Sequence, residues 1–214
     1  MAEPHFIEDD EHEKARAWWK ANRLPIISGV VIGLAIILGT NAWKSYQKSR
    51  ADAASSLYAE MLIKDQTGDS SAARLTGESL ITEYKDTPYA GKAALILARI
   101  SYDDKLLDDS RARLQWAIDH SDQFETVNAA RLKLAAIQFD EGEYQQALTT
   151  LSVEDMQGFE SHYFELRGDI YARLGEMNSA HDSYRAAIDG LAAGSMYEPV
   201  LRMKLESTLG GSKS

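Results

Sequence analysis

Apolar positions follow two different rules along this chain. From Leu24 to Trp43 they run together as twenty residues without a charge, fenced by Arg23 and Lys44. At about 1.5 Å of rise per residue such a run spans roughly 30 Å as a helix, the thickness of a bilayer's hydrocarbon core. Beyond Lys44 the apolar positions recur at helical spacing among charged ones, and alternating β-branched runs are nearly absent. That pattern predicts an all-α soluble part.

The run invites two readings. Val30 to Leu38 has the length of a signal-peptide apolar region, and Thr40 and Ala42 could form a small-x-small cleavage site. The leader before it is long and net acidic, however, and the uncharged stretch continues through Asn41 and Trp43. Trp18, Trp19 and Trp43 stand where an interfacial aromatic belt would place them. These features favour a retained anchor. The expected organisation is an acidic leader over 1–23, a transmembrane helix over 24–43, a helical domain over 44–209 and a flexible tail over 210–214. Like charges crowd at Glu8, Asp9, Asp10, Glu11 and Glu13, which predicts disorder to about Glu13. Lys14, Arg16, Lys20 and Arg23 slightly outweigh Lys44, Lys48 and Arg50, so the positive-inside rule leans towards a cytoplasmic amino terminus. Within the span, Gly29 and Gly33 form a G-x-x-x-G pair and Ala35 and Gly39 a second small pair, which makes close contact with another membrane helix sterically possible.

Punctuation divides the soluble part. Thr87 can cap a helix that begins at Pro88, where a missing N–H costs nothing, and that runs to about Tyr102. Gly142-Glu143 and Gly175-Glu176 predict tight turns, and Asp189-Gly190 a helix end with glycine in the left-handed conformation. No breaker interrupts Lys44 to Gln66, so the membrane helix is expected to continue into the domain. Ala51 to Gln66 and Ser70 to Tyr84 suit a first hairpin, and Tyr197 to Leu209 a closing helix.

The helices repeat. Phe164, Gly168, Tyr171, Ala180, Tyr184 and Ala187 fall at the spacing of the tetratricopeptide signature, in which small residues admit a neighbouring helix and large ones fill the space beside them. The frame recurs at Leu134, Ala135, Ala147 and Leu151, and again at Leu97, Ala98, Ser110, Leu114 and Ala117. Equivalent small positions are 33 residues apart from Ala147 to Ala180 and 37 apart from Ser110 to Ala147, the excess falling around Ser121 to Glu125. Arg131, Arg167 and Glu154 depart from the signature. The fold class is therefore all-α, one transmembrane helix followed by a tetratricopeptide-like solenoid of helical hairpins. In stacked hairpins the first helix of each pair lines the concave side. That rule places Lys92, Leu95, Arg99 and Tyr102, then Leu132, Ala136 and Phe139, then His162, Glu165 and Asp169 in a groove of mixed character. Leu132 and Phe139 are equally readable as core.

Charge and residue inventory narrow the function. Residues 44–214 carry nineteen basic and twenty-seven acidic side chains, a surface that repels nucleic acid. Cysteine is absent, which excludes thiol chemistry and is compatible with an oxidising compartment. His5, His12, His120, His162 and His181 never fall at metal-ligand spacing with one another, and no phosphate-binding loop or nucleophile elbow is present. Asp103-Asp104 and Asp108-Asp109 read as solvated helix-end charges. No catalytic residue, cofactor or metal is expected.

Taken in order, these features resemble the YfgM family of ancillary SecYEG translocon subunits. The resemblance covers the chain from about Glu13 to Leu209 and rests on the aromatic pair Trp18-Trp19, the glycine-rich span, Leu166-Arg167-Gly168-Asp169 and Met203-Lys204. It implies a non-enzymatic protein of the bacterial inner membrane with a periplasmic domain, whose partners are the SecYEG translocon, a PpiD-like membrane chaperone, exported proteins and membrane lipid. The residues alone leave open an adaptor of opposite topology that recruits a cytoplasmic partner. The anchor reading predicts that protein extracted from membranes retains Met1 to Asn41; an intact mass beginning at Trp43 would show cleavage instead.

Overall fold

In a computed structural model, the structure describes the backbone of residues 6–210 and the side chains of residues 12–209. The described chain is helical throughout: α1 (Phe6–Gln66), α2 (Ser70–Glu83), α3 (Pro88–Asp103), α4 (Leu107–His120), α5 (Phe124–Asp140), α6 (Tyr144–Thr150), α7 (Glu160–Leu174), α8 (Met177–Asp189) and α9 (Glu198–Gly210). The chain divides into two units at Arg50 and Ala51.

In the first unit, α1 begins at Phe6, ahead of the Glu13 limit expected for disorder. Once a long helix is nucleated, each added residue gains a hydrogen bond at little further entropic cost, and that outweighs the local charge crowding. Residues 1–5 lie outside the described region, as does the expected flexible tail beyond Gly210. The apolar side chains from Val30 to Leu38 face outward, and no part of the most apolar window is buried. Hydroxyls in this stretch are satisfied by their own helix: Ser28 Oγ donates to the Pro25 carbonyl at 2.9 Å and Thr40 Oγ1 to the Ile37 carbonyl at 3.0 Å. Lipid offers no alternative partner, so this is the arrangement a membrane helix requires. A Cβ added at Gly29, Gly33 or Gly39 would meet nothing within 4 Å.

The second unit packs antiparallel hairpins: residues 51–66 with α2, α3 with α4, α5 with α6 and α7 with α8, closed by α9 on α8. Its core has two parts. Ala54, Met61, Leu80, Leu97, Leu114 and Leu134 belong to the first, and Ala135, Ala147, Leu151, Tyr163 and Ile170 to the second. Every small or apolar position of the repeat frame in α3 to α6 is buried, as are Gly168, Ala180, Tyr184 and Ala187 in the last hairpin. The reason for small residues is geometric. A Cβ on Gly168 would lie 2.6 Å from the Tyr184 ring, and one on Gly77 would lie 2.7 Å from Met61 Cε. Helices this close leave no room for even a methyl group.

Three local expectations change. Thr87 does occupy the cap position before Pro88, but its hydroxyl donates backwards to the Tyr84 carbonyl at 2.7 Å and makes no capping bond. Proline at the first helical position removes one amide that would otherwise lack a partner, and the hydroxyl closes the preceding turn instead. Gly190 ends α8 at φ −81° rather than in the left-handed region. Its small size answers to crowding, since a Cβ there would approach Ser161 N at 3.0 Å and Glu160 Cβ at 3.1 Å. At the two expected tight turns Gly142 and Gly175 are left-handed, at φ 80° and 79°, as are Gly68, Gly158 and Gly194 elsewhere. Finally, α6 stops at Thr150, so Glu154 falls in a loop, where the signature's demand for a small residue lapses. Val153 and Met156 from that loop pack against the second core in place of the missing helical turn.

Gly168→Ala is expected to destabilise the fold by about 1–2 kcal/mol although alanine favours a helix by about 1 kcal/mol, because the added methyl overpacks Tyr184. Ala180→Leu is expected to cost about 1–3 kcal/mol for the same reason. Thermal melts of the variants check both; unchanged stability would place the hairpin contact elsewhere.

Candidate protein-interaction surface

The groove positions divide into three groups. Arg99 and Tyr102 of α3 meet Ala136 of α5 at a cavity of about 190 Å³ whose floor includes Ala98, Leu114 and Ile137 and whose edge carries Lys133 and Asp140. Tyr102 is 39% exposed and Lys105 Nζ lies 5.8 Å from its ring centre. A phenol presented beside an apolar floor offers contact area at small entropic cost, the usual composition of a binding hot spot. Arg99 is less available. It pairs with Asp65 of α1 and, at 2.9 Å, with Asp103.

A second group serves the core as well as the surface. Leu95 packs on the first core part, and Leu132 and Phe139 on the second. The Phe139 ring is 5.8 Å from that of Tyr144, with the Arg173 guanidinium 5.9 Å above it. Lys92 and His162 remain exposed, each beside one aromatic ring: Lys92 beside Tyr89 at 6.0 Å and His162 beside Phe159 at 6.4 Å.

The third group is already occupied. Lys204 Nζ of α9 donates to Glu165 Oε1 and to both oxygens of Asp169, each at 2.8 Å, and sits 5.9 Å from the centre of the Tyr184 ring. Tyr197 Oη donates to Glu165 at 2.7 Å, and Tyr184 Oη to Asp169 at 2.8 Å. Burial alone would lower the Lys204 pKa, but hydrogen bonds and charge from Asp169 and Glu165 outweigh it and raise the value. Burial, then the Asp169 hydrogen bond, pushes Tyr184 up, and the Glu165 hydrogen bond, then burial, raises Tyr197. Here the chain's own closing helix supplies the cation that the carboxylates face. The sequence marks Met203-Lys204 as a motif but has no local signal linking Lys204 to residues 35 and 39 positions earlier.

Neither acidic pair is simply solvated: Asp103 pairs with Arg99 and Asp104 with Arg74, each at 2.9 Å. Asp109 accepts from buried Ser101 at 2.5 Å and from Arg113 at 3.3 Å, with Arg74 of α2 at 3.4 Å. Burial raises its pKa, but the Ser101 hydrogen bond and the two guanidinium charges outweigh burial and hold it below the ordinary value. Arg113 also reaches Glu78 at 2.7 Å, so this network joins α2, α3 and α4. Helix-end position alone does not reveal it, because its partners come from two other helices. Among the described residues no group of three His, Asp or Glu side chains is disposed to hold a metal.

Stacked hairpins with small-residue seams, a concave cavity and a capping helix define a repeat scaffold. The chain belongs to the family described as tetratricopeptide repeat-like domain, whose model matches residues 16–210. Three relatives are each named ancillary SecYEG translocon subunit, in agreement with the YfgM resemblance. One from Haemophilus influenzae is 26% identical and one from Aggregatibacter actinomycetemcomitans 28%, each alignment covering 94% of this chain and 97% of the relative. One from Escherichia coli is 25% identical over 94% of this chain and 96% of its own length.

The Lys204 cluster sets an alkaline limit. Lys204, Tyr184 and Tyr197 all have higher pKa values folded than unfolded, so their contribution is complete below about pH 10 and is lost as pH rises through the folded values. The melting temperature is expected to fall from about pH 10 upward. Lys204→Met at neutral pH, which leaves two carboxylates facing each other, is expected to cost about 1–3 kcal/mol, read by a thermal melt.

Proposed function

We propose that this protein is a membrane-tethered interaction scaffold that acts as an ancillary subunit of the SecYEG translocon. In this reading the leader over 1–23 is cytoplasmic, residues 24–43 cross the inner membrane, and the domain over 44–209, with its short tail, works in the periplasm beside a PpiD-like chaperone. It receives exported chains as they emerge. One observation carries the proposal: an apolar helical stretch with no burial partner stands in the same chain as a repeat domain, and relatives matched along nearly their whole length are named for the translocon.

Tethering gives the mechanism. A shallow groove binds an extended segment weakly, but holding it at the channel exit raises the effective concentration of each partner for the other. Gly29 and Gly33 on one face of the helix, and Ala35 with Gly39 on a second face about 120° round from it, are suited to close contact with a membrane helix of the translocon or chaperone. The cavity at Tyr102 and the half-buried Phe139 supply the contact on the domain. This reading requires no chemistry, and a tetratricopeptide repeat-like domain is not a class defined by catalysis.

The test has two readouts. A photo-crosslinker at Val30 or Leu34 is expected to capture a membrane partner, and one at Tyr102 to capture periplasmic partners or emerging chains. Deleting Leu24 to Trp43 and exporting the domain on a cleavable signal should abolish the first set and weaken the second. Equal capture by the untethered domain would remove the mechanism. A reporter fused at Ser214 that is active only in the cytoplasm would favour the adaptor of opposite topology.

A further inference from the structure

The cavity between α3 and α5 carries two charges that the fold does not use. Lys133 and Asp140 stand at its edge, both exposed, and among the described residues neither has a hydrogen bond or ion pair. Their own helix offers none: Ala129, Ala130, Ala136 and Ile137 occupy the adjacent turns. Other charges nearby are engaged, since Arg99 pairs with Asp65 and Asp103, Glu141 with Arg111, and Lys105 lies over Tyr102. In a domain where cations so often find carboxylates, an uncompensated pair of opposite sign beside an apolar cavity is the feature left without a structural role.

Spacing says what the pair could read. Seven helical residues separate the two by about 10 Å along α5, the reach of three residues of extended chain. Between them Tyr102, Leu114, Ala136 and Ile137 line a space of about 190 Å³, room for one large aliphatic or aromatic side chain. A whole helix, about 10 Å across, is too wide for it.

We propose that this cavity takes an extended chain segment with one large apolar side chain as anchor, flanked by an acidic and a basic residue three positions apart, Lys133 receiving the acid and Asp140 the base. The inference rests on the scaffold reading above and gives it a sequence preference. Segments with like charges on both sides of the anchor meet one repulsive edge, so the site discriminates by rejection as well as attraction.

The experiment uses the full chain in detergent micelles and three fluorescein-labelled peptides at about 0.15 M salt, where exposed charges farther apart than about 8 Å are largely screened. The mixed peptide is Gly-Ser-Glu-Leu-Ser-Lys-Gly; the others carry Glu at both charged positions or Lys at both. Affinities are read as changes on substitution, because a net charge of −10 favours cationic peptides everywhere on the surface. Lys133→Glu is expected to weaken the mixed and double-Glu peptides by about two- to five-fold and to leave the double-Lys peptide at least as tight. Asp140→Lys is expected to weaken the mixed and double-Lys peptides and spare the double-Glu one. The decisive result is the double variant Lys133→Glu/Asp140→Lys, for which a fourth peptide, Gly-Ser-Lys-Leu-Ser-Glu-Gly, keeps the anchor in place and reaches the affinity of the mixed peptide for the wild type. Replacing the peptide's leucine by serine should abolish binding throughout. A mixed peptide indifferent to both single substitutions, or a double variant that does not prefer the charge-exchanged peptide to the mixed one, overturns the inference, as does failure of all the peptides to bind. Crosslinking in cells at Tyr102 reads the scaffold function without any charge requirement, so the two failures are distinguishable.

Discussion

The domain depends on how closely its helices can approach. Gly77 and Gly168 face neighbouring side chains at distances where no Cβ fits, and Ala147, Ala117 and Ala180 lie wholly buried on the second helices of their hairpins. Close approach brings backbone against side chain along a whole seam, so dispersion and burial are gained over many atoms at once. It also fixes the angle between hairpins, and with it the curvature that creates a concave side. The cavity at Tyr102 exists because α3 and α5 are held by this packing with α4 behind them.

Polar groups add order to that packing. Arg74 and Arg113 bridge α2 to the turn and helix that follow α3, Arg111 ties α4 to the turn after α5, and Lys204 ties α9 to α7. Each bridge links elements far apart in sequence, and its cation is half-buried, so solvent screens it less than a surface pair. An apolar seam tolerates sliding; a cation held between two carboxylates of another segment, as Arg111 and Lys204 are, does not. The bridges thereby set which hairpin face meets which.

Local sequence carried much of this architecture. The small-large spacing around Gly168 and Ala180, the glycines of the two tight turns and the proline opening α3 each follow from short-range sterics, and short-range sterics are visible in a string of residues. What stayed hidden was contact between distant segments. Nothing near Asp109 announces that Arg74 will lie beside it, and the two carboxylates at Glu165 and Asp169 look open until α9 is folded over them. Gly190 illustrates a subtler miss. Its place at a helix end suggested a backbone conformation, whereas the reason for glycine is the nearby start of α7. Lys133 and Asp140 were legible in principle, seven residues apart on one helix with no charged residue of that helix a turn away, yet an isolated charge looks ordinary until an apolar cavity is seen between them.

The closing helix also bears on how such an array can change length over evolution. A hairpin repeat grows most simply by duplication at an end, where a new pair stacks on the last. Here the last pair has spent its two inward carboxylates on Lys204, and a duplicated hairpin placed after α8 would have to bring its own lysine to the same point or leave that charge uncompensated. Lengthening at this end is therefore penalised; a hairpin inserted at 121–123 would likewise part Arg111 from Glu141, and one at 152–159 would part Tyr163 from Asn128. The array is terminated chemically as well as sterically, and its repeat number is held fixed from the carboxyl side.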